Sequence, residues 1–243
     1  YVLPAPRGRW IDAPRGDEQL LSNGAAYDFP FACAPGVSGE RDSTEIGSWT
    51  NQNGPQCTGV CPPGRMCPGA TAQPEPCSRG GYCAGGNPAA TPCPAGTHSN
   101  ATGLNATEQC MPCPAGAACL TGSMAPAVCG TGSFAASEGA DVCQQCEAGT
   151  YQASRGAIAC ETCPTSAWCA EGSSAPTPCG SGNYSNQLGL RSADECLPCA
   201  KGSWCSAGRA IPCGRGTYND ALGATDQSAC TYCPPNSFTD GES

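Results

Sequence analysis

The chain has 243 residues, a formal net charge of −9, and 23 cysteines beside 33 glycines and 24 prolines. Leu, Ile, Val and Phe together number only 22 of the 243 residues. Their share is far below the roughly 20% under which chains are usually disordered. A large hydrophobic core is therefore excluded, because burial at about 25 cal/mol per Å² cannot offset the ordering entropy of the chain. Cross-links remain, and since disulfides persist in oxidising compartments, we expect a secreted or cell-surface protein.

The charge pattern and the hydropathy exclude two further classes of protein. Lys201 is the only lysine, and the arginines are dispersed, so we expect no nucleic-acid partner. No apolar run reaches 18 residues, so we expect no membrane insertion within this segment. The N-terminus lacks the basic and apolar regions of a secretory signal. With an odd cysteine count and a last repeat that stops at Ser243, we interpret the sequence as part of a longer chain.

Residues 1–56 form an N-terminal lead-in segment that contains a single cysteine, Cys33. The segment carries a cluster of aromatic residues: Trp10, Tyr27, Phe29, Phe31 and Trp49. Two interpretations stay open for it, namely the end of a preceding module with some strand content and an irregular linker.

From residue 57 onward the cysteines recur at a few fixed intervals. Short loops enclose five residues, in Cys61–Cys67, Cys77–Cys83, Cys113–Cys119, Cys163–Cys169 and Cys199–Cys205. Long loops enclose thirteen or sixteen residues, in Cys93–Cys110, Cys129–Cys143, Cys146–Cys160, Cys179–Cys196 and Cys213–Cys230. Residues 57–92 are short-loop modules, and residues 93–243 are tandem repeats of one long and one short loop, the last one truncated. Such recurrence predicts a disulfide framework in tandem copies.

Each long loop begins with Cys-x-x-Gly, then Thr, Ser or Asn, then an aromatic residue. The glycines are Gly96, Gly132, Gly149, Gly182 and Gly216, with Asn236 in the last copy, which predicts a positive φ. We expect the aromatic residues to pack against a disulfide of their own or the adjacent module; these are His98, Phe134, Tyr151, Tyr184, Tyr218 and Phe238. A second glycine falls in the middle of each loop, where a two-stranded ribbon would turn: Gly103, Gly139, Gly156, Gly189 and Gly223. In short loops the residue before the second cysteine is usually bulky: Met66, Tyr82, Ala118, Trp168 and Trp204.

Two disulfide registers fit these intervals. Joining nearest neighbours closes each loop described above, adds Cys33 with Cys57, and leaves Cys233 for a partner beyond Ser243. The shifted register joins Cys-x-x-Cys doublets such as Cys110 with Cys113. We prefer the first register, because the tight rings of the second tend to be strained and reducible.

The sequence resembles the ephrin-receptor-like cysteine-rich repeats, which are similar in style to tumour necrosis factor receptor and EGF-like modules. The resemblance is carried by Cys-Pro-Ala-Gly-Thr-His at 93–98, Cys-Glu-Ala-Gly-Thr-Tyr at 146–151 and Cys-Met-Pro-Cys-Pro-Ala-Gly at 110–116. The resemblance covers roughly residues 57–243, and residues 31–61 look like the lead-in module of such an array. Similar long arrays occur in large extracellular proteins of algae and other protists. It implies a small disulfide-rich fold, an elongated tandem array of short β-ribbon modules with little helix. It implies no catalytic residues.

Two kinds of cysteine chemistry are weighed against disulfides. Cys143, Cys146, Cys160 and Cys163 have the outline of a zinc ribbon, but the same doublet recurs with single cysteines between the copies, and His98 is the only histidine. Redox catalysis by Cys-x-x-Cys needs a helix N-terminus or a similar device that lowers the thiol pKa, and no helical pattern is present. We therefore expect no metal and no cofactor.

Other candidate groups also have a structural interpretation that we favour. His98 occupies the aromatic position of its repeat, so packing is expected rather than catalysis. The acidic pairs Asp17/Glu18 and Asp194/Glu195 fit no calcium-binding loop, and we interpret them as solvated surface charge. The indoles of Trp168 and Trp204 could form a binding stripe, but we favour shielding of the adjacent disulfide.

Three Asn-x-Ser/Thr sequons predict N-linked glycans at Asn100, Asn105 and Asn183. We expect a non-enzymatic structural segment of a large extracellular glycoprotein in a filament, a coat or a mastigoneme-like assembly. Its expected partners are other copies or other extracellular proteins of that assembly. The alternative is a ligand-binding or adhesive ectodomain of a cell-surface receptor, which would continue into a membrane span and a signalling region.

Reduction tests the premise that cross-links rather than a core hold the chain. We expect full reduction to abolish the folded state without creating helix or sheet elsewhere, because too few apolar side chains remain to stabilise it. Circular dichroism and limited proteolysis, with and without strong reductant, measure this. Persistence of a folded, protease-resistant state in the reductant would contradict the premise.

Overall fold

The computed structural model describes residues 9–10, 31–32, 34–38, 59–69, 71, 73–235 and 237. Several of the predictions above lie outside the described residues. They concern the pairing of Cys33 with Cys57, the aromatic residues Tyr27, Phe29, Trp49 and Phe238, the acidic pair Asp17/Glu18, and Asn236.

The regular structure of the described residues consists of very short strands and three single-turn 3₁₀ helices. The strands are β1 (Arg9–Trp10), β2 (Phe31–Ala32), β3 (Val37–Ser38), β4 (Gly59–Val60), β5 (Arg65–Met66), β6 (Glu75–Pro76), β7 (Gly81–Tyr82), β8 (Thr91–Pro92), β9 (Thr97–His98), β10 (Met111–Pro112), β11 (Ala117–Ala118), β12 (Ala127–Val128), β13 (Ser133–Phe134), β14 (Gln144–Gln145), β15 (Thr150–Tyr151), β16 (Glu161–Thr162), β17 (Ala167–Trp168), β18 (Thr177–Pro178), β19 (Asn183–Tyr184), β20 (Leu197–Pro198), β21 (Ser203–Ser206), β22 (Arg209–Pro212), β23 (Thr217–Tyr218) and β24 (Thr231–Tyr232). The 3₁₀ helices are η1 (Thr107–Gln109), η2 (Ala193–Glu195) and η3 (Gln227–Ala229).

Each strand pairs antiparallel with its neighbour in sequence, β1 with β2, β3 with β4 and so on, so every sheet has two strands. The buried side chains are mainly cysteine and alanine, and Leu190 is the only large aliphatic residue among those that the structure places in the interior. The predicted fold class is therefore confirmed as a tandem array of disulfide-rich β-ribbon modules without a large core. In the lead-in segment, for which two interpretations were left open, β1 and β2 form a two-residue antiparallel pair.

Long and short loops share one local fold, which we call the Cys module. We number its positions from the first cysteine as 0. Position 3 is glycine, or serine at Ser166. Position 5 carries the bulky residue, which pairs across the ribbon with the residue two positions before the first cysteine of the next module, as Tyr151 does with Glu161 before Cys163. The aromatic residue of the long loops and the bulky residue of the short loops are therefore the same position. The repeat is one Cys module, half of the long-plus-short repeat that the cysteine spacing indicates.

A tight turn begins every Cys module and explains its consensus. In the Cys129 module the N–H of Ser133 donates to the carbonyl of Gly130 at 3.3 Å, and Gly132 between them has φ +75°. A positive φ at this place is the mark of a type II turn. The hydroxyl at position 4 donates to the same carbonyl in four long-loop modules, at 2.6–2.9 Å, which accounts for the threonine and serine there: Thr97, Ser133, Thr150 and Thr217.

The chain divides into two compact parts, Tyr1–Cys113 with Cys119–Pro126 and Pro114–Ala118 with Ala127–Ser243. Within each part, successive modules are joined by the same backbone hydrogen bonds. The position 3 N–H donates to the position 6 carbonyl of the next module, as Gly64 does to Cys83 at 2.8 Å in the first part and Gly149 to Cys169 at 2.8 Å in the second. The position 6 N–H in turn donates to a backbone carbonyl in the module that follows, as the Cys169 N–H does to the Leu190 carbonyl at 2.9 Å.

Position 6 decides whether a module has a short or a long loop. In short-loop modules it is the second cysteine of the disulfide, as at Cys169. In four long-loop modules it is a buried polar residue whose side-chain oxygen accepts from the N–H two residues later, at 2.8–3.2 Å: Ser99, Gln152, Ser185 and Asn219. This local turn leads the chain outward into the long loop.

Ten disulfides join the cysteines of the described residues in the nearest-neighbour register, with Cα–Cα distances of 5.6–5.9 Å. Both loop classes close on themselves, and no Cys-x-x-Cys pair such as Cys110 with Cys113 forms among these residues. Cys233 forms no disulfide within the described part of the chain.

Replacement of Gly132 by alanine tests the contact between modules. A Cβ at Gly132 would lie 2.1 Å from the backbone oxygen of Gly172, two modules further on, and its φ is +75°. Since backbone atoms cannot yield as a flexible side chain does, we expect Gly132→Ala to destabilise the fold by more than the ~1–2 kcal/mol of the backbone conformation alone. Denaturant unfolding of the oxidised protein measures the loss.

Two glycines of the same module serve as matched controls. Gly139 has φ +79° but nothing within 4 Å of its Cβ position, so Gly139→Ala isolates the conformational cost, about 1–2 kcal/mol. Gly130 has neither a positive φ nor a neighbour within 4 Å, so Gly130→Ala should stay within about 0.5 kcal/mol of the parent. Equal effects of Gly132→Ala and Gly139→Ala would contradict a steric requirement at Gly132.

Candidate functional site

The position 5 side chains are half-buried in most modules and form the most regular chemical feature of the surface. Tyr151 packs against Cys163, Ala167 and Cys169 of the following module. The ring thus covers the Cys163–Cys169 disulfide, as predicted for the aromatic residues of the repeats, and the adjacent module is the one that it contacts. In a chain with almost no aliphatic core, this contact supplies apolar burial at the junction of two modules.

Tyr151 also makes a polar contact across its ribbon. Its hydroxyl donates to the Glu161 carboxylate at 2.9 Å, and the two residues face each other in β15 and β16. This hydrogen bond raises the pKa of the Tyr151 phenol, with smaller contributions from burial and from the charge of Glu161. The phenol is therefore held in its protonated form, as a hydrogen-bond donor to Glu161.

Trp168 and Trp204 occupy position 5 of short-loop modules and are half-buried. Trp168 lies next to Leu190 of the following module, to which it makes a parallel backbone bridge, and Leu190 is buried. Trp204 faces Ile211 across β21 and β22, and Ile211 is 36% exposed. Each indole lies in the ribbon of its own module, next in sequence to a disulfide cysteine. Shielding of that disulfide by the indole stays a prediction.

His98 is also at position 5, in β9 opposite Met111. Its Nδ1 atom is buried and has no hydrogen-bond partner. The imidazole is half-buried in the ribbon, and the packing role expected for it stays a prediction.

The acidic side chains cap turns. Glu195 accepts from the Arg191 N–H at 2.8 Å in front of η2. Asp226 accepts from the Ser228 N–H at 2.8 Å at the start of η3, and hydrogen bonds from the Ser228 side chain and backbone lower the pKa of Asp226. A lowered pKa means that this cap is intact in the ordinary carboxyl range and is lost only as the pH falls through the lowered pKa of Asp226.

The part of the chain that the structure describes contains no group of three His, Cys, Asp or Glu side chains that could hold a metal ion. The cysteines of the zinc-ribbon pattern belong to separate disulfides, since Cys143 pairs with Cys129 and Cys146 with Cys160. A shallow groove is lined by Pro62, Arg65, Gln73 and Pro74, where the guanidinium of Arg65 donates to the Pro74 carbonyl.

The three sequons differ in their surroundings. Asn100 and Asn105 are exposed, and so are the threonines Thr102 and Thr107 that complete their sequons. Asn183 instead lies half-buried in β19. Its Ser185 is buried, and the Ser185 hydroxyl oxygen accepts from the Gln187 N–H at 3.0 Å.

Comparison with known proteins supports the resemblance seen in the motifs. Residues 130–168 match the model of the tyrosine-protein kinase ephrin type A/B receptor-like family. The match begins one residue after Cys129 and extends to Trp168, so it includes two long-loop modules and the ribbon turn of a short-loop module. The comparison with curated proteins gave no match.

The tandem disulfide-bonded modules and this match over residues 130–168 support a cysteine-rich array of ephrin-receptor-like repeats. Its disulfide content and this family match are those of an extracellular protein with a receptor-like or structural role. Among the described residues, the structure contains no helix with the length and apolar character needed to cross a bilayer.

Glycan occupancy should follow the exposure of the three sequons. We expect high occupancy at Asn100 and Asn105 and low occupancy at Asn183, because the Ser185 hydroxyl is buried and hydrogen-bonded once the ribbon forms. Glycopeptide mass spectrometry of protein secreted by eukaryotic cells measures the three sites separately. Occupancy at Asn183 equal to that at Asn100 would show that burial of the Ser185 hydroxyl does not limit attachment of the glycan.

Proposed function

We propose that this chain is a non-enzymatic structural segment of a large secreted or cell-surface glycoprotein that builds a filament, a coat or a mastigoneme-like assembly. Its partners in this proposal are other copies of the chain or other extracellular proteins of the assembly, and it carries N-linked glycans. The observation that carries the proposal is the repetition of identical backbone hydrogen bonds from one Cys module to the next within each part.

Backbone bonding of this kind makes the scaffold largely independent of the outer side chains. The bonds run from position 3 to position 6 whether position 6 is Cys83, Ser99 or Ala135. Repeat proteins in which each repeat contacts its neighbours can be lengthened by adding copies, which suits a spacer or a fibre component. An enzyme or a small-molecule binder would instead need convergent polar groups in a pocket.

Exposed apolar side chains support contact with other proteins of an assembly. Tyr232 is 88% exposed, Val60 72%, Leu120 67% and Leu188 66%, in a chain that has few large apolar residues to place. Single exposed apolar residues are ordinary on a monomer. Their use at the surface here, while alanine and cysteine fill the interior, favours burial against a neighbouring chain.

The location of the protein on cells tests this proposal. Antibodies raised against the exposed loop at residues 136–142, which contains no sequon, should label an extracellular filament or coat at regular intervals in immunogold electron microscopy. Antibody absorbed with the loop peptide serves as the control. Diffuse label along the plasma membrane, without any filament or coat, would contradict a structural role.

A ligand-binding or adhesive ectodomain is the second candidate, and one observation favours it. Trp204 and Ile211 place a half-buried indole and an exposed aliphatic side chain side by side on one ribbon, a pair suited to an apolar partner. Under this candidate, Trp204→Ser should abolish cell or ligand adhesion, whereas Thr177→Ser on the ribbon of the Cys163 module should not. Unchanged adhesion in the Trp204 variant would exclude this surface.

A further inference from the structure

The disulfides fall into two classes by their access to solvent. In short loops both cysteines are at most 1% exposed: Cys61, Cys67, Cys77, Cys83, Cys113, Cys119, Cys163, Cys169, Cys199 and Cys205. In long loops the first cysteine is also buried, at most 4% exposed, but the second is half-buried at Cys143, Cys160, Cys196 and Cys230. Cys110 is the most protected of these second cysteines, at 6% exposed.

The backbone hydrogen bonds account for this difference. Both cysteines of the short loop Cys163–Cys169 take part in bonds beyond their own loop, since Cys163 donates to Gly149 and Cys169 donates to Leu190, each at 2.9 Å. In the long loop Cys179–Cys196 only Cys179 does so, donating to Ser166 at 2.9 Å. The N–H of Cys196 donates within its own loop, to Ala193 at 3.1 Å.

The contacts between modules do not need the long-loop disulfides. Position 6 of the Cys179 module is Ser185, whose carbonyl accepts from the Ser166 N–H at 2.9 Å and whose hydroxyl oxygen holds the following turn. In a short loop the same carbonyl belongs to a disulfide cysteine, as at Cys169, which accepts from Gly149. Gly189 and Leu190 of the long loop are bonded to Cys163 and Cys169, so opening the Cys179–Cys196 bridge frees only the end of the loop after Leu190. Opening a short-loop bridge instead frees a residue that joins two modules.

We propose that the five long-loop disulfides are thiol–disulfide exchange sites that a dithiol reagent opens while the module scaffold stays folded, and that the short-loop disulfides are structural. A thiolate of the reagent attacks the outer sulfur, for example that of Cys196, and the S–S bond breaks. The Cys179 sulfur leaves as a thiolate and takes a proton from water. The second thiol of the reagent then displaces Cys196 and closes a cyclic disulfide, so two electrons pass from the reagent to the cysteine pair.

Differential alkylation of the native, full chain tests the two classes. The oxidised protein is treated with increasing dithiothreitol without denaturant, quenched with iodoacetamide, and mapped by peptide mass spectrometry. We expect alkylation of long-loop pairs at least about tenfold faster than that of short-loop pairs, because a buried bridge must wait for local unfolding. Within the long-loop class Cys93–Cys110 should react most slowly, since Cys110 is the best protected outer cysteine.

The outcomes are separable. Equal rates for both classes, or simultaneous loss of all bridges, would overturn the proposal, because the scaffold would then open as a whole. Faster reaction of Cys163–Cys169 than of Cys179–Cys196 would also overturn it. Survival of protease resistance after the long-loop pairs are alkylated supports it.

A pair of double variants provides a second measurement on neighbouring modules. Cys179→Ser with Cys196→Ser removes a long-loop bridge, and Cys163→Ser with Cys169→Ser removes a short-loop bridge. Hydrogen exchange at the amides of Ser166 and Gly189, which bond the two modules, should remain slow in the first variant and become fast in the second. Loss of protection in the first variant, at the level of the second, would contradict the assignment.

Discussion

The hydrogen bond from position 3 of one Cys module to the position 6 carbonyl of the next is the interaction on which the structure depends. An isolated two-residue ribbon leaves most of its backbone groups without protein partners and is marginal in water. The neighbouring module provides those partners, so the modules of each part are stable only together. The disulfides add to this by restricting the unfolded chain. Backbone bonds and covalent bridges thus replace the apolar interior that the composition excludes.

This arrangement separates a constant scaffold from a variable surface. Position 6 can be the cysteine of a short loop or a small polar residue such as Ser185, and the backbone bond is the same in both cases. What changes is the outer loop, which carries the exposed sequons Asn100 and Asn105 and the capped turns. A protein built in this way can vary in chemistry along its surface without altering the contacts between modules, which suits an extracellular assembly.

The cysteine spacing allowed much of the fold to be predicted. Recurrent intervals indicated nearest-neighbour loops, and low aliphatic content indicated ribbons rather than a core. The aromatic residues were expected against disulfides, and Tyr151 lies against Cys163–Cys169. The shared local fold of long and short loops was not predicted, although both begin with Cys-x-x-Gly. The reason is that the spacing between the paired cysteines differs between the two classes. Ser166, which replaces that glycine in one short loop, hid the pattern further.

The sequence by itself determined the cross-linked class, the extracellular chemistry, the glycine turns and the family resemblance, since each follows from residue type and local spacing. Only the tertiary structure decided which cysteines are buried, which of the three sequons has a buried hydroxyl, and which module the Tyr151 ring covers. Those properties depend on contacts between residues far apart in the chain. Ser185 illustrates this, because its burial follows from the backbone bond that it accepts from Ser166 of the preceding module.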